Sequence, residues 1–200
     1  MSHPSGILLA GGASRRFGRS KVVEPLDGVP LFHWPLRALL GSCSEVVIVL
    51  APDAVEPPLP DGSDRVRFAR DRVAYEGPLA GSLVGLEHVR GEYAVIVAAD
   101  MPGVSPELLS FMADRAAAGR RKAVLLSDAD GRRPLPAVVA VAPALVLARM
   151  LLGSGERKLR ALVEGLDPEG LPETVWNRLD AQGAWRDDVN APGDLPKRTR

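Results

Sequence analysis

Two groups of residues in this chain have types and spacings suited to chemistry on phosphates. The first is a run of glycines and cations near the start, Leu9-Ala10-Gly11-Gly12-Ala13-Ser14-Arg15-Arg16-Phe17-Gly18-Arg19-Ser20-Lys21. Glycine lets backbone N–H groups approach phosphate oxygens closely, and successive N–H groups in a turn form an anion-binding concavity. Arg15, Arg16, Arg19 and Lys21 supply positive charge beside that turn. The pattern is neither the P-loop nor the dinucleotide fingerprint, because Lys21 follows Ser20 and leads into Val22-Val23-Glu24. On glycine content alone, a turn edged with solvated arginines fits these residues equally well. The second group is acidic. Asp100 closes an apolar run in Ala98-Ala99-Asp100-Met101-Pro102, and Asp71 follows Ala69-Arg70. A carboxylate at the end of a buried strand is well placed to hold Mg²⁺ against substrate phosphates, since this ion takes one or two carboxylates together with phosphate oxygens. The competing readings are a turn cap before Pro102 and a solvated loop acid at Asp71.

Other chemistries are poorly represented. Cys43 is the only cysteine, which excludes an intramolecular disulfide and a thiolate cluster. His3, His33 and His88 lack metal-ligand spacing, and no Ser/His/Asp motif is evident. Formal net charge is zero, so no global field draws the chain to nucleic acid or to a membrane surface. The longest uncharged run, Pro134 to Ala148, is 15 residues with three prolines, too short to span a bilayer. No basic-then-apolar signal segment opens the chain, and the expected location is cytoplasmic. An oligomeric state no higher than a monomer or weak homo-oligomer is expected.

The elements that must position these residues follow from apolar patterning. Gly6–Ala10, Glu45–Ala51, Tyr93–Ala99 and Ala123–Ser127 are apolar runs of strand length, with shorter strand candidates at Arg65–Ala69, Leu135–Val141, Thr174–Arg178 and Trp185–Val189. Helical spacing marks Leu31–Leu40, Leu79–Val89, Ala144–Leu152 and a basic amphipathic stretch, Glu156–Glu164. Another helix is punctuated by Ser105 as N-cap, Pro106 at its first position and Gly119 at its end. Alternating strands and helices predict an α/β fold, a Rossmann-like three-layer sandwich around a mostly parallel sheet. Residues 1–200 are expected to form one domain, with a nucleotide-binding half over about 1–103 and an acceptor-binding half over about 104–195. Ligands in such folds bind beyond the carboxyl ends of strands, here the loops after Ala10, Ala51, Ala69 and Ala99.

Leu-Ala-Gly-Gly followed by Arg-Phe-Gly and Lys21 resembles the signature loop of the molybdenum cofactor guanylyltransferases, which belong to a larger group of nucleotidyltransferases. Gly77-Pro78-Leu79-Ala80-Gly81 and Asp100-Met101-Pro102 match two further segments, and the resemblance runs in order from residue 6 to 195. It implies transfer of GMP from GTP to the terminal phosphate of molybdopterin or its molybdenum-loaded form, with release of pyrophosphate. It assigns Leu9, Ala10, Gly11, Gly12 and Lys21 to the triphosphate, Asp71 to the nucleotide, and Asp100 with Asn190 to Mg²⁺. Lys21, Arg15 and Asp100 are then the catalytic residues. Arg132-Arg133-Pro134-Leu135 and Gly155-Glu156-Arg157-Lys158-Leu159 resemble acceptor-side segments, and as bare sequence they read equally well as solvated faces. The chain departs from the family at Phe17, usually Met, at Asp188, usually Asn, and after the second strand, where Leu50-Ala51-Pro52 offers no base-contacting Asn. Gly12 favours GTP, since cytidylyl relatives tend to carry Leu-Ala-Ala-Gly. The alternatives are a molybdopterin cytidylyltransferase, a sugar-phosphate nucleotidyltransferase of the same fold, and a nucleotide-binding module without turnover.

Overall fold

Near-continuous apolar runs along the central strands decide the architecture, because each of these strands must bury both of its faces. In the computed structural model, which describes residues 3–11, 23–71 and 77–189, Ser5–Leu9 (β1) is followed by a two-residue hairpin, Pro25–Leu26 (β2) and Val29–Pro30 (β3). Then come His33–Ser42 (α1), Glu45–Leu50 (β4), Val66–Arg70 (β5), Pro78–His88 (α2), Tyr93–Ala98 (β6) and Pro106–Gly119 (α3). The second half contains Ala123–Asp128 (β7), Gly131–Ala140 (β8), Val141–Gly153 (α4), Leu159–Gly165 (α5), Glu169–Leu171 (β9) and Glu173–Trp176 (α6). A 3-10 turn, Ala184–Arg186, closes the described chain.

One seven-stranded sheet runs in the order β5-β4-β1-β6-β8-β7-β9. Pairing is parallel between β5 and β4, β4 and β1, β1 and β6, and β7 and β9. Strand β8 runs antiparallel to both of its neighbours. Leu8, Val46, Ile48, Val95, Val97, Val124 and Val138 face a core shared with α1 and α3. Ile7, Val47, Val49, Ala94, Ile96, Leu125 and Val139 face the opposite core, shared with α2, α4 and α5. These two layers of helices flanking a mostly parallel sheet are the predicted three-layer sandwich. Ser105 does cap α3, its Oγ accepting the Leu108 N–H at 3.2 Å, with Pro106 at the first position. The left-handed residue at the other end is Arg120, φ 48°, rather than a glycine.

Two strand expectations fail for the same reason. Thr174–Arg178 overlaps α6, and Trp185 lies in the 3-10 turn. Each segment carries one indole that must be buried, and a short turn of helix buries one large side chain without a partner strand. Trp176 is fully buried and its Nε1 donates to the Ser127 carbonyl at 2.8 Å. The amphipathic Glu156–Glu164 stretch becomes helical only from Leu159, because Glu156 Oε1 instead accepts the N–H groups of Arg157 and Lys158 at 2.7 and 2.8 Å. The edge strand β9 and the β2–β3 hairpin are too short to show a period. Strand β8 begins four residues earlier than its apolar run, as Gly131 closes a hairpin with β7.

At the amino edge, opposite the site described below, Glu45 ties three segments together. Its Oε1 accepts from Ser5 Oγ at 2.9 Å and from the Arg90 N–H at 2.7 Å, and its Oε2 pairs with Arg67 at 2.6 Å. Burial would raise the Glu45 carboxyl, but these hydrogen bonds and the Arg67 charge outweigh it and hold the group below the ordinary range. A group ionised more readily in the folded state stabilises above its unfolded pKa of about 4.3, and that contribution is lost as pH falls through the lower folded value. Glu45→Gln is therefore expected to lose about 1–2 kcal/mol at pH 7. Urea melts should show the gap between the two proteins narrowing as pH falls below the unfolded pKa of about 4.3, and a gap independent of pH would refute the assignment.

Candidate active site

The carboxyl edge of the parallel strands is extended by hydrogen bonds one residue past each strand. Ala10 donates to the Val49 carbonyl at 2.9 Å, Asp71 to the Leu50 carbonyl at 2.9 Å and Ala99 to the Leu9 carbonyl at 3.0 Å. This ladder places Gly11, Asp71 and Asp100 along one rim, each at the point where its strand stops. Leu9 and Ala10 lie immediately beneath the rim, with Ala10 buried and Leu9 half-buried. Asp71 and Asp100 are also half-buried. Gly11 runs close to the neighbouring loop, where a Cβ would stand 3.2 Å from the Ala51 nitrogen. Such an approach of backbone to backbone keeps the start of the glycine loop narrow. Gly12, Arg15 and Lys21 lie outside the described residues, as does Asn190.

The last described segment returns to this rim. The Val189 N–H donates to the Asp100 carbonyl at 3.0 Å, so Asp188 is one residue from the backbone of Asp100. Val189 is buried against Leu26 and Leu31, which fastens the segment to the β2–β3 hairpin. The turn after Asp100 is fastened as well. A Cβ on Gly103 would stand only 1.9 Å from the Ala184 carbonyl oxygen, so the two backbones touch.

The Gly77–Gly81 segment opens α2 on the same rim. Gly77 has φ +95°, a conformation that favours glycine, and a Cβ there would stand 2.8 Å from the Arg157 carbonyl oxygen. That carbonyl accepts the Leu79 N–H at 3.3 Å. The Gly-Pro-Leu-Ala-Gly segment is thus bonded to the Gly155–Leu159 segment. Glu156 is held below the ordinary carboxylate range by the N–H groups of Lys158 and Arg157, and this fixes the turn.

Much of the basic charge in the 132–133 and 155–160 segments is already matched. Arg133 pairs with Asp128 at 3.0 Å and Asp130 at 3.2 Å, and Arg132 with Glu164 at 2.7 Å. Arg160 donates to the Arg132 carbonyl at 3.0 Å, and Arg157 to the carbonyls of Leu152 and Glu156. These arginines shape the rim. The sequence patterns missed a different cation, Arg186, whose guanidinium lies over the rings of Trp176 and Trp185. Two of the three tryptophans close together near the end of the chain were the available signal, but only the folded backbone brings them together.

Among the described residues, no three His, Cys, Asp or Glu side chains gather in a metal-binding cluster. A single half-buried aspartate at a strand end, beside a glycine loop, suits an ion that takes most of its ligands from phosphates and water. It does not suit zinc, which is held by three or four protein ligands.

Known proteins with the same features were found by three comparisons. A model of the MobA-like NTP transferase domain matches residues 6–170. A protein of Chloroflexus aggregans named probable molybdenum cofactor guanylyltransferase is 32% identical over 196 residues, 96% of this chain and 91% of its own. A Mycobacterium tuberculosis protein of the same name is 34% identical over 168 residues, 82% of this chain and 80% of its own. The crystal structure of molybdopterin-guanine dinucleotide biosynthesis protein A from Archaeoglobus fulgidus superposes with a TM-score of 0.76 at 26% identity, covering 96% of this chain and 94% of that one. With the family model matching residues 6–170 and these relatives 32% and 34% identical over most of their length, the chain belongs to the MobA-like NTP transferase family.

Proposed function

We propose that this protein is a molybdenum cofactor guanylyltransferase, transferring GMP from GTP to the terminal phosphate of molybdopterin or its molybdenum-loaded form. The observation that carries this reading is the rim itself. Hydrogen bonds past the ends of β1, β5 and β6 set Gly11, Asp71 and Asp100 on one edge, the residues to which the resemblance assigns the nucleotide and the metal. In the transfer, an oxygen of the acceptor phosphate bonds to the α-phosphorus of GTP. The bond from that phosphorus to the bridging oxygen breaks, and its electron pair leaves with pyrophosphate. Such a reaction requires chiefly in-line positioning and neutralisation of charge.

The roles divide along the rim. Leu9, Ala10, Gly11 and Gly12 receive the triphosphate where β1 ends, Lys21 and Arg15 neutralise it, and Asp71 contacts the nucleotide. Asp100 and Asn190 would hold a divalent cation, read as Mg²⁺, which when bound offsets the phosphate charge. The acceptor lies on the side of Asp100 away from β4 and β5, over the ends of β8 and β7. No helix among the described residues is long and apolar enough to cross a membrane. The enzyme is read as cytoplasmic, acting as a monomer or weak homo-oligomer.

The deciding experiment measures pyrophosphate release with a molybdopterin source and each of the four NTPs in turn. GTP is expected to support release and CTP to fall at least tenfold behind. A preference for CTP would move the assignment to cytidylyl transfer, which Gly12 argues against. GTP binding by calorimetry without release under any condition would instead identify a non-catalytic nucleotide-binding module.

A further inference from the structure

We propose that Arg186 stacks on the planar pyrimidine ring of the acceptor's pterin, on a shelf built by Trp176 and Trp185. This rests on the guanylyl-transfer reading above and adds a specificity-determining residue to it. The two indoles are buried and meet edge to face, with centroids 5.4 Å apart and planes at 87°. The Arg186 Cζ lies 5.0 Å from the Trp176 centroid and 5.8 Å from that of Trp185, while the residue as a whole is exposed. The guanidinium thus rests over indole on a residue that remains exposed, and its Nε donates to the Gly183 carbonyl at 3.4 Å. Gly183 makes room for it. That residue is left-handed, φ +63°, and a Cβ there would overlap the guanidinium. Asp128 is close enough for the Arg186 charge to help lower its carboxyl, yet its salt bridge goes to Arg133.

Two independent contacts locate this shelf on the rim. Trp176 Nε1 bonds to Ser127 near the carboxyl end of β7, and Ala184 touches Gly103 in the turn after Asp100. Arg186 thus sits between the ends of β6 and β7, which strand spacing separates by about 10 Å because β8 lies between them. Gly11 and Asp71 lie on the other side of Asp100 and claim that side for the nucleotide. An acceptor whose phosphate reacts at Asp100 must extend its other end over β8 and β7. In molybdopterin that other end is the pterin ring. A guanidinium is planar, delocalised and weakly hydrated, so it stacks on an indole and on a second aromatic plane alike, whereas an ammonium does not.

The test compares wild type with Arg186→Ala and Arg186→Lys in pyrophosphate release at saturating GTP, varying molybdopterin. Arg186→Ala is expected to raise the acceptor KM at least tenfold, and Arg186→Lys to leave it several-fold above wild type. The GTP dissociation constant, read by calorimetry, should stay within twofold. A second readout needs no turnover: an unphosphorylated pterin added to the GTP complex should show saturable fluorescence quenching with wild type and little with Arg186→Lys. An unchanged acceptor KM in Arg186→Ala, full rescue by lysine, or an equal loss of GTP affinity would overturn the proposal. Should Arg186→Ala fail a thermal-melt check, the lysine variant and the quenching titration decide, and no quenching with wild type also overturns it. A wild type without turnover would sink the guanylyl-transfer reading, leaving the quenching titration to judge the stacking on its own.

Discussion

Asp100→Ala is expected to lower kcat for pyrophosphate release by about 10³-fold while leaving the protein folded. The magnitude follows from what a preorganised charge contributes where transition-state charge develops, roughly 10²–10³ for a single donor and several kcal/mol for a metal-bridged phosphoryl oxygen. The contact that holds the last described segment to the rim uses the backbone carbonyl of Asp100, which accepts from Val189 at 3.0 Å and survives the substitution. Ala99, next to it, keeps its bond to the Leu9 carbonyl. The melting temperature should accordingly stay within a few degrees of wild type. Asp100→Asn, which keeps the shape and removes the charge, should be nearly as slow as the alanine variant. Titration of Mg²⁺ in the assay completes the test. Half-saturation should move to much higher Mg²⁺ in the asparagine variant, and a variant with full Mg²⁺-dependent turnover would remove Asp100 from the reaction.

What was legible in the sequence, and what was not, divides by the range of the interaction. Ile7 and Leu8, Val46 and Val47, Ile96 and Val97 announce strands buried on both faces, because each neighbouring pair must find a separate core. Ser105-Pro106 announces a helix start, because a cap is satisfied within three residues. Asp71 and Asp100 could be placed at strand ends by the same local reasoning. By contrast, the bond between Leu79 and Arg157 joins residues far apart in the chain, and nothing near either one signals it. Arg186 and Trp176 are only ten residues apart, yet their contact too depends on how the folded backbone turns between them. Tryptophan in a short apolar run suits a strand by propensity, but tertiary burial of the indole overrode it in both segments. The pairing of the acceptor-side arginines with Asp128 and Glu164 also lay beyond pattern reading, which saw only a basic stretch.

Another contact between distant parts of the chain supports the second large expectation. Gly103→Ala is expected to destabilise the protein by about 3 kcal/mol, at the upper end of what overpacking costs, and to lower the melting temperature by roughly 6–12 °C for a chain of this size. The new methyl carbon would stand 1.9 Å from the Ala184 oxygen and 2.4 Å from its carbonyl carbon. Backbone atoms cannot rotate aside as the end of a side chain can, so the 184–189 segment must move. Movement there withdraws Trp185 and Arg186 from their shelf and strains the Val189 bond to Asp100. The acceptor KM should therefore rise in whatever fraction stays folded, while the glycine loop on the far side of Asp100 keeps its affinity for GTP. Gly153→Ala is the control. A Cβ there meets nothing within 4 Å, and Gly153 is the last residue of α4. Alanine at that position should leave stability within about 0.5 kcal/mol of wild type. Guanidinium melts of the two variants that coincide would show that the Gly103–Ala184 approach does not hold the end of the chain on the rim.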